Sequence, residues 1–407
     1  MHVPLFFKYA ISHRSMGLIV QKYGGTSVDS PERIRTVAQK IAQTRHQGHS
    51  LIVVVSAMGH TTDELIALAH RVSAKPPHRE MDMLLSTGER ISMALLSMAL
   101  AEQNTAAVSY TGSQSGIITD ESHRCAKIRK ILGDRVKKSL SEEKVVIVAG
   151  FQGVSESKEI TTLGRGGSDT TAIALAAALG AEVCDIYTDV DGVYSADPSI
   201  VPDAKLLKKV SYSFMIEMSS LGAGVLHPRC VEMARRYGVK MRVKNSLNQN
   251  EGTEVVMEEV RVTGVTSDDS KILLKIKLMR ATTLSSIWDQ AALSNLTFLA
   301  PFFSDGSVRC FIERNSEPEW KKFLEKLKLE GFVQEYEFFH SLIPVSLVGS
   351  HFLHDGKALC SVLSRLSENG IQVTDGVASP MAITLAVPRN HMKEAVQCLH
   401  QKFVIES

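Results

Sequence analysis

The fold is decided by the stretch Leu18–Ile19–Val20–Gln21–Lys22–Tyr23–Gly24–Gly25–Thr26–Ser27–Val28. Its first four residues predict a buried β-strand, and the paired glycines predict a turn that leads into a helix. Glycines let backbone N–H groups approach phosphate oxygens, and a helix N-terminus adds a favourable dipole. The stretch therefore suits a phosphate site in which Lys22 shares the bound anion. Paired glycines also mark plain structural turns, and on local sequence alone both interpretations stay open.

Strand and helix signals alternate beyond this stretch, which is typical of an α/β domain with a mainly parallel sheet. The run Leu51–Val55 is continuously apolar, as in strands that helices cover on both faces. The other predicted elements are the strands Leu18–Gln21, Ala106–Tyr110, Val145–Ala149 and Cys184–Thr188 and the helices Asp29–Gln43, Met81–Ala101 and Ala172–Leu179. Ligands bind beyond the carboxyl ends of such strands, where the polar loops of this sequence fall.

The bulk composition is ordinary for a globular enzyme. The chain has 407 residues, more than one core usually supports, so two or three domains are expected. With 46 basic and 44 acidic side chains, the net charge of +2 gives no reason to expect nucleic acid or an anionic membrane as a partner. No apolar run approaches the roughly 20 residues of a membrane span.

Six scattered cysteines without paired spacing predict reduced thiols in a cytoplasmic protein, not a disulfide framework or a zinc site. Residues 1–17 contain a second methionine, Met16, and an apolar run that Lys8 interrupts. We interpret them as a dispensable N-terminal extension or as the result of a start codon placed too early. They make a poor signal peptide.

After Gly252–Thr253 the sequence contains few glycine loops, and the pattern of predicted elements changes. Two units follow, each reading as strand, helix, two strands and helix, and they open at Lys271–Leu278 and Pro344–Val348. Asn369–Gly370 predicts a left-handed helix end in the second unit. The remaining elements are predicted at Trp288–Leu293 and Pro318–Leu327 in the first unit and at Ala358–Ser367, Ile371–Val377, Ala382–Val387 and Met392–His400 in the second.

Two further motifs carry chemistry at the predicted sheet edge. Gly164–Thr171 places Arg165 among three glycines and opens an alanine-rich helix. Arginine grips carboxylates with two parallel hydrogen bonds, and Ser168 with free helix N–H groups can hold further anionic oxygens; the alternative is a solvated turn. Glu89 lies inside a predicted helix, where an exposed acid is the simpler interpretation.

The loop after Cys184–Thr188 leaves several alternatives open. Asp189 and Asp191 can hold magnesium through water, cap a helix or contact a ribose. Tyr194 can lie against an adenine ring or simply pack. Earlier in the chain, the segment Ser56–Glu64 reads as a loop of small and hydroxyl residues before the next helix.

Taken together, these motifs resemble the aspartokinase family within the wider amino-acid kinase superfamily. The match runs in order from Leu18 to Thr253, and the part from Val262 resembles the paired ACT domains of that family. The motifs that carry it are Lys22–Ser27, Ser56–Gly59, Thr62–Leu65, Thr87–Glu89, Gly164–Asp169, Thr188–Tyr194, Gly222–Pro228 and Val243–Ser246.

The resemblance implies a domain plan. Residues 1–17 would be the extension, and residues 18–257 a three-layer α/β/α amino-acid kinase domain with a mainly parallel sheet. Residues 258–340 and 341–407 would be two ACT-like domains of βαββαβ, α+β type, the first of them divergent. A homodimer or larger assembly held partly by these domains is implied, as is an amino-acid effector, lysine or threonine.

The resemblance also implies a reaction and its residues. ATP, with Mg²⁺ bridging its phosphates and no protein metal site, would phosphorylate the β-carboxylate of L-aspartate to 4-phospho-L-aspartate. This is the first step of lysine, threonine and methionine synthesis, and of diaminopimelate synthesis in bacteria. The implied catalytic residues are Lys22, Arg165 and Asp169; those for aspartate are Ser56, Thr62, Glu89, Arg165 and Ser168; those for the nucleotide are Lys22, Gly24, Gly25, Ser27, Thr188, Asp189, Tyr194 and Lys244.

Some positions depart from the family pattern. Ser199 stands where many relatives have arginine, and Lys244 where they often have arginine too. The segments Arg280–Ser285 and His354–Lys357 lack the Pro-Gly turn at which effectors dock in relatives, so weak or altered feedback inhibition is expected. The alternatives are another carboxylate kinase of the superfamily, such as a glutamate or acetylglutamate kinase, and a non-catalytic amino-acid-binding regulator.

Overall fold

The computed structural model describes residues 17–279, 284–294, 296–304, 306–349 and 356–406. Most of the predicted extension, and the positions 280–283 and 354–355 of the two effector segments, lie outside the described residues. Contacts divide the chain into two compact units. The first comprises the chain up to Val193 with Lys208–Tyr212 and Val225–Glu258. The second comprises Tyr194–Leu207, Ser213–Gly224 and the chain from Glu259.

The first unit is built on an eight-stranded sheet in the order β10-β12-β11-β9-β1-β2-β6-β3. Its neighbouring strands are parallel except for the β11–β12 pair. The sheet strands are β1 (Leu18–Tyr23), β2 (Ser50–Val55), β3 (Ala107–Tyr110), β6 (Val145–Ala149), β9 (Val183–Thr188), β10 (Lys209–Ser211), β11 (Met241–Asn245) and β12 (Thr253–Val256). A four-stranded sheet contains β4 (Ile117–Thr119), β5 (Ile128–Ile131), β7 (Gln152–Ser155) and β8 (Ile160–Thr162).

Helices cover both faces of the large sheet, which makes the predicted three-layer α/β/α arrangement. Apolar residues of α1 and α3 pack with Tyr23, Leu51 and Val53 on one face. On the other face lies α5, which is buried along most of its length because alanine lets it approach the sheet closely. The helices of the first unit are α1 (Pro31–His46), α2 (Thr61–Val72), α3 (His78–Glu102), α4 (Asp134–Ser141), α5 (Gly167–Leu179) and α7 (Pro228–Tyr237). The helix α6 (Tyr212–Ser220) begins at Tyr212 of the first unit and otherwise belongs to the second.

Two antiparallel sheets of four strands form the second unit, in the orders β15-β16-β14-β17 and β13-β18-β20-β19. The first sheet and its helices comprise β14 (Lys271–Leu278), α8 (Leu284–Leu293), β15 (Leu299–Ser304), β16 (Ser307–Glu313), α9 (Glu317–Leu329) and β17 (Val333–Phe339). The second comprises β13 (Thr263–Ser267), β18 (Leu342–Gly349), α10 (Gly356–Glu368), β19 (Asp375–Ala378), β20 (Ala382–Pro388) and α11 (Met392–His400). Both are consistent with ACT-like domains.

The second unit has a nested chain order. β14 to β17 complete one βαββαβ sequence, whereas the sequence that opens at β18 ends with α11 and has only three strands. Its fourth strand is β13, which precedes β14 and pairs antiparallel with β18. The segment Tyr194–Leu207 contributes Ala196 and Val201 to the core of this same sheet.

Several local predictions were wrong in their bounds, and three of these differences change the assignment of a segment. The strand predicted from Ile371 begins at Asp375, because the Ile371 N–H group bonds Leu366 O and caps α10. The predicted loop up to Glu64 already contains the first turn of α2 from Thr61. Likewise, α5 begins at Gly167, so Ser168–Thr171 belong to the helix and not to the turn before it.

Candidate active site

The turn after β1 is held backbone to backbone against the strand β9 and the loop after β2. The Gly24 N–H group donates to Tyr187 O (3.2 Å), and Gly59 N–H donates to Gly25 O (3.1 Å). A Cβ on Gly25 would lie 3.0 Å from the carbonyl oxygen of Ala57, so a side chain at this position would force the two loops apart. The predicted glycine turn is therefore a close approach of two backbones.

A short 3₁₀ helix, Gly25–Val28, follows the turn and precedes α1. Ser27 lies in it with a fully buried side chain, and its Oγ finds no hydrogen-bond partner among the described residues. An unpaired buried hydroxyl is costly unless a ligand or water satisfies it. This atom fits a ligand oxygen at the predicted phosphate position.

Lys22 forms an ion pair with Asp169. Its Nζ lies 2.7 Å from Asp169 Oδ1, and each side chain is only 12% exposed. Lys22 is the last residue but one of β1 and Asp169 lies in the first turn of α5, so the pair joins the sheet to a helix N-terminus. Behind it, burial raises the pKa of the thiols of Cys184 and Cys230. The structure thus brings together two of the predicted catalytic residues.

Glu89 is buried, with 3% exposure, so the interpretation as an exposed helix acid is wrong. Gly88 lets α3 approach the loop after β2, because a Cβ there would lie 2.8 Å from the Cβ of Ala57. The Ala57 N–H group donates to Glu89 Oε1 (3.3 Å), and Oε2 has no partner among the described residues. Burial raises the pKa of Glu89 to about 7. A cationic ligand group would favour its ionised form.

The Gly164–Gly167 turn carries Arg165, whose side chain is exposed. Gly164 and Gly166 flank it with left-handed φ values of +75° and +67°. Ser168, 8% exposed, packs against Gly150, where a Cβ would lie 2.7 Å from Ser168 Oγ. The loop after β6 and the first turn of α5 are therefore in contact at Ser168.

The loop after β9 shows that Asp191 is already engaged. Its two carboxylate oxygens accept hydrogen bonds from the side-chain amides of Asn245 (2.7 Å), Asn248 (2.7 Å) and Asn250 (3.0 Å). These bonds lower the pKa of Asp191, with Asn248 contributing most. Asp189 is exposed and accepts a bond from Thr188 Oγ1 (3.1 Å). Asp191 thus ties two loops together, and Asp189 is the carboxylate left for a ligand.

Lys244 lies on the opposite face of the sheet from Lys22. In the register, Lys22 is beside Ile186 and Lys244 is beside Tyr187, and successive strand residues alternate faces. Lys244 Nζ is 3.9 Å from Asp185 Oδ2, a buried carboxylate that Arg242 also binds with two bonds. Among the residues that the structure describes, the ion-pair partner of Lys244 is Asp185 and not Asp169.

The remaining predicted residues divide between the units. Ser56 and Thr62 are half-buried in the first unit, and the Ser56 N–H group bonds Tyr23 O (3.1 Å). Tyr194 belongs to the second unit, where it pairs with Leu206. In the same unit, Ser199 donates from its N–H and Oγ to Asp197 Oδ1 (2.8 and 2.7 Å).

Sequence reasoning assigned no role to His227, Arg229 or Phe151, which all contact the Arg165 turn. The His227 ring packs where a Cβ of Gly166 would be, and Arg229 Nη2 donates to Leu163 O (2.7 Å). Burial lowers the pKa of His227, and the charge of Arg229 lowers it further. Phe151 adopts a left-handed φ of +67°, which is unusual for an aromatic residue. The sequence signal that could have pointed to His227 is His227–Pro228, which starts a helix at the end of the Gly222–Pro228 motif.

Neither a resident metal site nor a membrane span is found in the part of the chain that the structure describes. Within it, no three His, Cys, Asp or Glu side chains are grouped so that they could hold a metal ion. None of its helices is both long enough and apolar enough to cross a bilayer.

Comparison with known proteins confirms the class that the motifs indicate. The model of the amino acid kinase family matches residues 17–245. The chain is 45% identical to an aspartokinase from Bacillus sp. (strain MGA3) over 400 residues, which cover 95% of this chain and 97% of that relative. The chain therefore belongs to the amino acid kinase family.

Solved structures narrow the class. An aspartate kinase from Synechocystis is 35% identical, with a TM-score of 0.56, over 95% of this chain and 69% of that one. Aspartokinase III of E. coli, solved in complex with aspartate and ADP, shares the fold with a TM-score of 0.82 at 23% identity, over 95% and 99% of the two chains. The activity is that of an aspartate kinase, a phosphotransferase with a carboxyl group as acceptor.

Proposed function

We propose that the carboxyl ends of β1, β2, β6 and β9 form a two-substrate site, in which ATP phosphorylates the β-carboxylate of L-aspartate to 4-phospho-L-aspartate. The observation that carries this proposal is the 2.7 Å contact between Lys22 and Asp169, largely withdrawn from water at the N-terminus of α5. An ammonium group held there can neutralise charge on a transferring phosphoryl group. Phosphoryl transfer needs mainly such positioning and charge stabilisation.

At the phosphate end, Gly24, Gly25 and Ser27 cradle the phosphates and Lys22 neutralises them. The buried Oγ of Ser27, which has no hydrogen-bond partner in the described part of the chain, supports this role. An oxygen of the ionised β-carboxylate attacks the γ-phosphorus, the bond to the ADP oxygen breaks, and its electron pair leaves with ADP. The nucleophile is already anionic at neutral pH, so no general base is required.

At the aspartate end, Glu89 binds the α-ammonium group and Arg165 binds a carboxylate. Two features of Glu89 support this: its Oε2 has no partner in the part of the chain that the structure describes, and burial raises its pKa. An incoming cation would pair with the carboxylate and favour the ionised form that burial disfavours. Ser56, Thr62 and Ser168 add polar contacts, and Asp169 orients the reacting groups through Lys22.

Thr188, Asp189, Tyr194 and Lys244 are proposed for the nucleotide. The exposed carboxylate of Asp189 beside Thr188 supports the first two, and Tyr194 and Lys244 rest on the family resemblance. Mg²⁺ bound to the ATP phosphates would supply positive charge to the transferring group. Asp189 is an oxygen donor of the type that Mg²⁺ accepts, directly or through water.

The proposal includes the domain ranges 1–17, 18–257, 258–340 and 341–407, with β13 of the third range completing the sheet of the fourth. The two ACT-like domains would bind lysine or threonine and hold a homodimer or larger assembly. Two four-stranded sheets with paired helices support this. Free thiols at all six cysteines support a cytoplasmic location. Light scattering should exclude a monomer at micromolar concentration, and titration with each amino acid should identify the effector.

The reaction is tested by a coupled ADP assay with aspartate, glutamate and acetylglutamate as separate acceptors. We expect turnover with aspartate and Mg²⁺. Lys22→Ala should lower kcat by about 100-fold or more, in the range found for loss of one preorganised donor, with an unchanged circular dichroism spectrum. Lys130→Ala, an exposed lysine of β5, is the control. Turnover of glutamate but not aspartate, or no ADP formation at all, would overturn the proposal.

A further inference from the structure

Asp82 is a fully buried carboxylate on α3 with no role in the proposed chemistry. Thr162 Oγ1 donates to its Oδ1 (2.6 Å), and the Arg124 N–H group lies 3.1 Å from both of its oxygens. His123 Nδ1 lies 2.7 Å from Oδ2. Hydrogen bonds to an ionised acceptor are stronger than neutral ones, and so many bonds on one buried group fix the segments that supply them.

These segments adjoin the turn that carries Arg165. Thr162 ends β8, two residues before Gly164 begins the turn. The Ala126 N–H group donates to Thr162 O (2.9 Å), and a Cβ on Gly164 would lie 2.9 Å from Arg124 O. The end of β8 before the turn and the first turn glycine therefore lie against residues that Asp82 binds.

Asp82 also lies seven residues before Glu89 on α3, which is two helical turns on one face. One rigid helix thus holds Glu89 directly and the Arg165 turn through Thr162 and Arg124. If Glu89 binds the α-ammonium group and Arg165 a carboxylate, their separation sets the length of amino dicarboxylate that fits. Misplacement of such a group by about 1 Å can cost about 100-fold in rate.

We propose that Asp82 is a positioning residue that sets the spacing between Glu89 and the Arg165 turn, and through it the preference for aspartate over the longer glutamate. The proposal rests on the proposed roles of Glu89 and Arg165. It predicts a specific defect in recognition of the acceptor, whereas a merely structural role would reduce folding without changing the ratio of the two substrates.

The test compares Asp82→Asn, Thr162→Val and Thr162→Ser. In Asp82→Asn we expect the KM for aspartate to rise about tenfold, as for loss of one charged hydrogen bond, with the KM for ATP within about twofold. The ratio of kcat/KM for aspartate to that for glutamate should fall. Thr162→Val should likewise raise the KM for aspartate and lower this ratio. Thr162→Ser keeps the hydroxyl and should have the wild-type values of both.

Ser139→Ala is the matched control, because it removes a buried hydrogen bond to Tyr110 (2.8 Å) that joins α4 to the edge strand β3. Arg165→Lys separates the two proposals. If Arg165→Lys leaves the KM for aspartate unchanged, the proposed role of Arg165 fails. Suppose that Arg165→Lys raises the KM for aspartate, but Thr162→Val has the substrate ratio of the wild type or of Ser139→Ala. The inference about Asp82 then fails, while the proposed role of Arg165 stands. Should Asp82→Asn not fold, Thr162→Val and Thr162→Ser still decide.

Discussion

Replacing Glu89 by glutamine should stabilise the free enzyme at alkaline pH while weakening aspartate binding. Burial raises the pKa of Glu89 from 4.5 to about 7. Because this value exceeds that of the unfolded chain, the folded state holds the proton more tightly, and stability falls as the pH rises from 4.5 to about 7. At about 1.36 kcal/mol per pH unit, the buried charge costs about 3 kcal/mol of unfolding free energy by pH 8.

Glutamine keeps the shape and an oxygen for the Ala57 N–H group but never ionises. The difference in unfolding free energy between Glu89→Gln and the wild type should therefore grow by about 2–3 kcal/mol between pH 5 and pH 8. Urea unfolding followed by circular dichroism measures it, with Glu102→Gln at the exposed end of α3 as the control. In the same variant, kcat/KM for aspartate at pH 8 should fall about 100-fold, since the α-ammonium group loses its charged partner.

Two results would refute this reasoning. A stability difference that is equal at pH 5 and pH 8 would mean that the Glu89 carboxyl does not titrate in the range that its burial implies. An unchanged kcat/KM for aspartate would mean that Glu89 does not bind the substrate amine, whatever its pKa. The unfolding measurement tests only the raised pKa of Glu89, and kcat/KM tests only its binding of the substrate amine, so each claim can fail without the other.

Asp191→Ala should raise the KM for ATP about tenfold and leave the KM for aspartate unchanged, because three asparagine amides lose their shared acceptor; equal rises in both would argue against it. Gly150→Ala should destabilise the protein by about 1–3 kcal/mol and reduce activity, since the new Cβ would lie 2.7 Å from Ser168 Oγ. Gly224→Ala, which has nothing within 4 Å, is its control in thermal unfolding; equal effects of the two substitutions would contradict the close approach.

Local patterns identified the elements whose signal is strong in their own residues. Val145–Ala149 and Met392–His400 were predicted with the bounds that the structure has, because one is a continuous apolar run and the other has clear helical periodicity. The strand β5 reads Ile-Arg-Lys-Ile, which has no alternation, and it exists because β4 pairs with it. The pairing of β13 with β18 joins residues about 80 positions apart, which no local pattern encodes.

The residues of the site also divide into those with a local sequence signal and those whose place depends on distant parts of the chain. The Lys22 turn and the Arg165 turn are visible in sequence because glycines mark places where backbones must come close. The burial of Glu89 depends on how α3 packs against the loop after β2, and helix periodicity alone did not give it. His227 immediately precedes α7, more than 60 residues beyond Arg165 in the chain, so its contact with the Arg165 turn could be found only from the assembled fold.

The nested order of the second unit decides which part of it can be removed. β13 ends at Ser267 and its antiparallel neighbour β18 begins at Leu342, and the Asp268 N–H group already reaches Pro344 O (3.2 Å). A gene that lost the codons for residues 269–340 would need only a tight hairpin to rejoin these strands, and the outer sheet would keep its order. Deleting the sheet that contains β13 and β18 instead would remove segments on both sides of residues 269–340, and no such junction would remain. Residues 269–340, which contain β14 to β17, are therefore the part of the second unit that can be removed or exchanged as one segment.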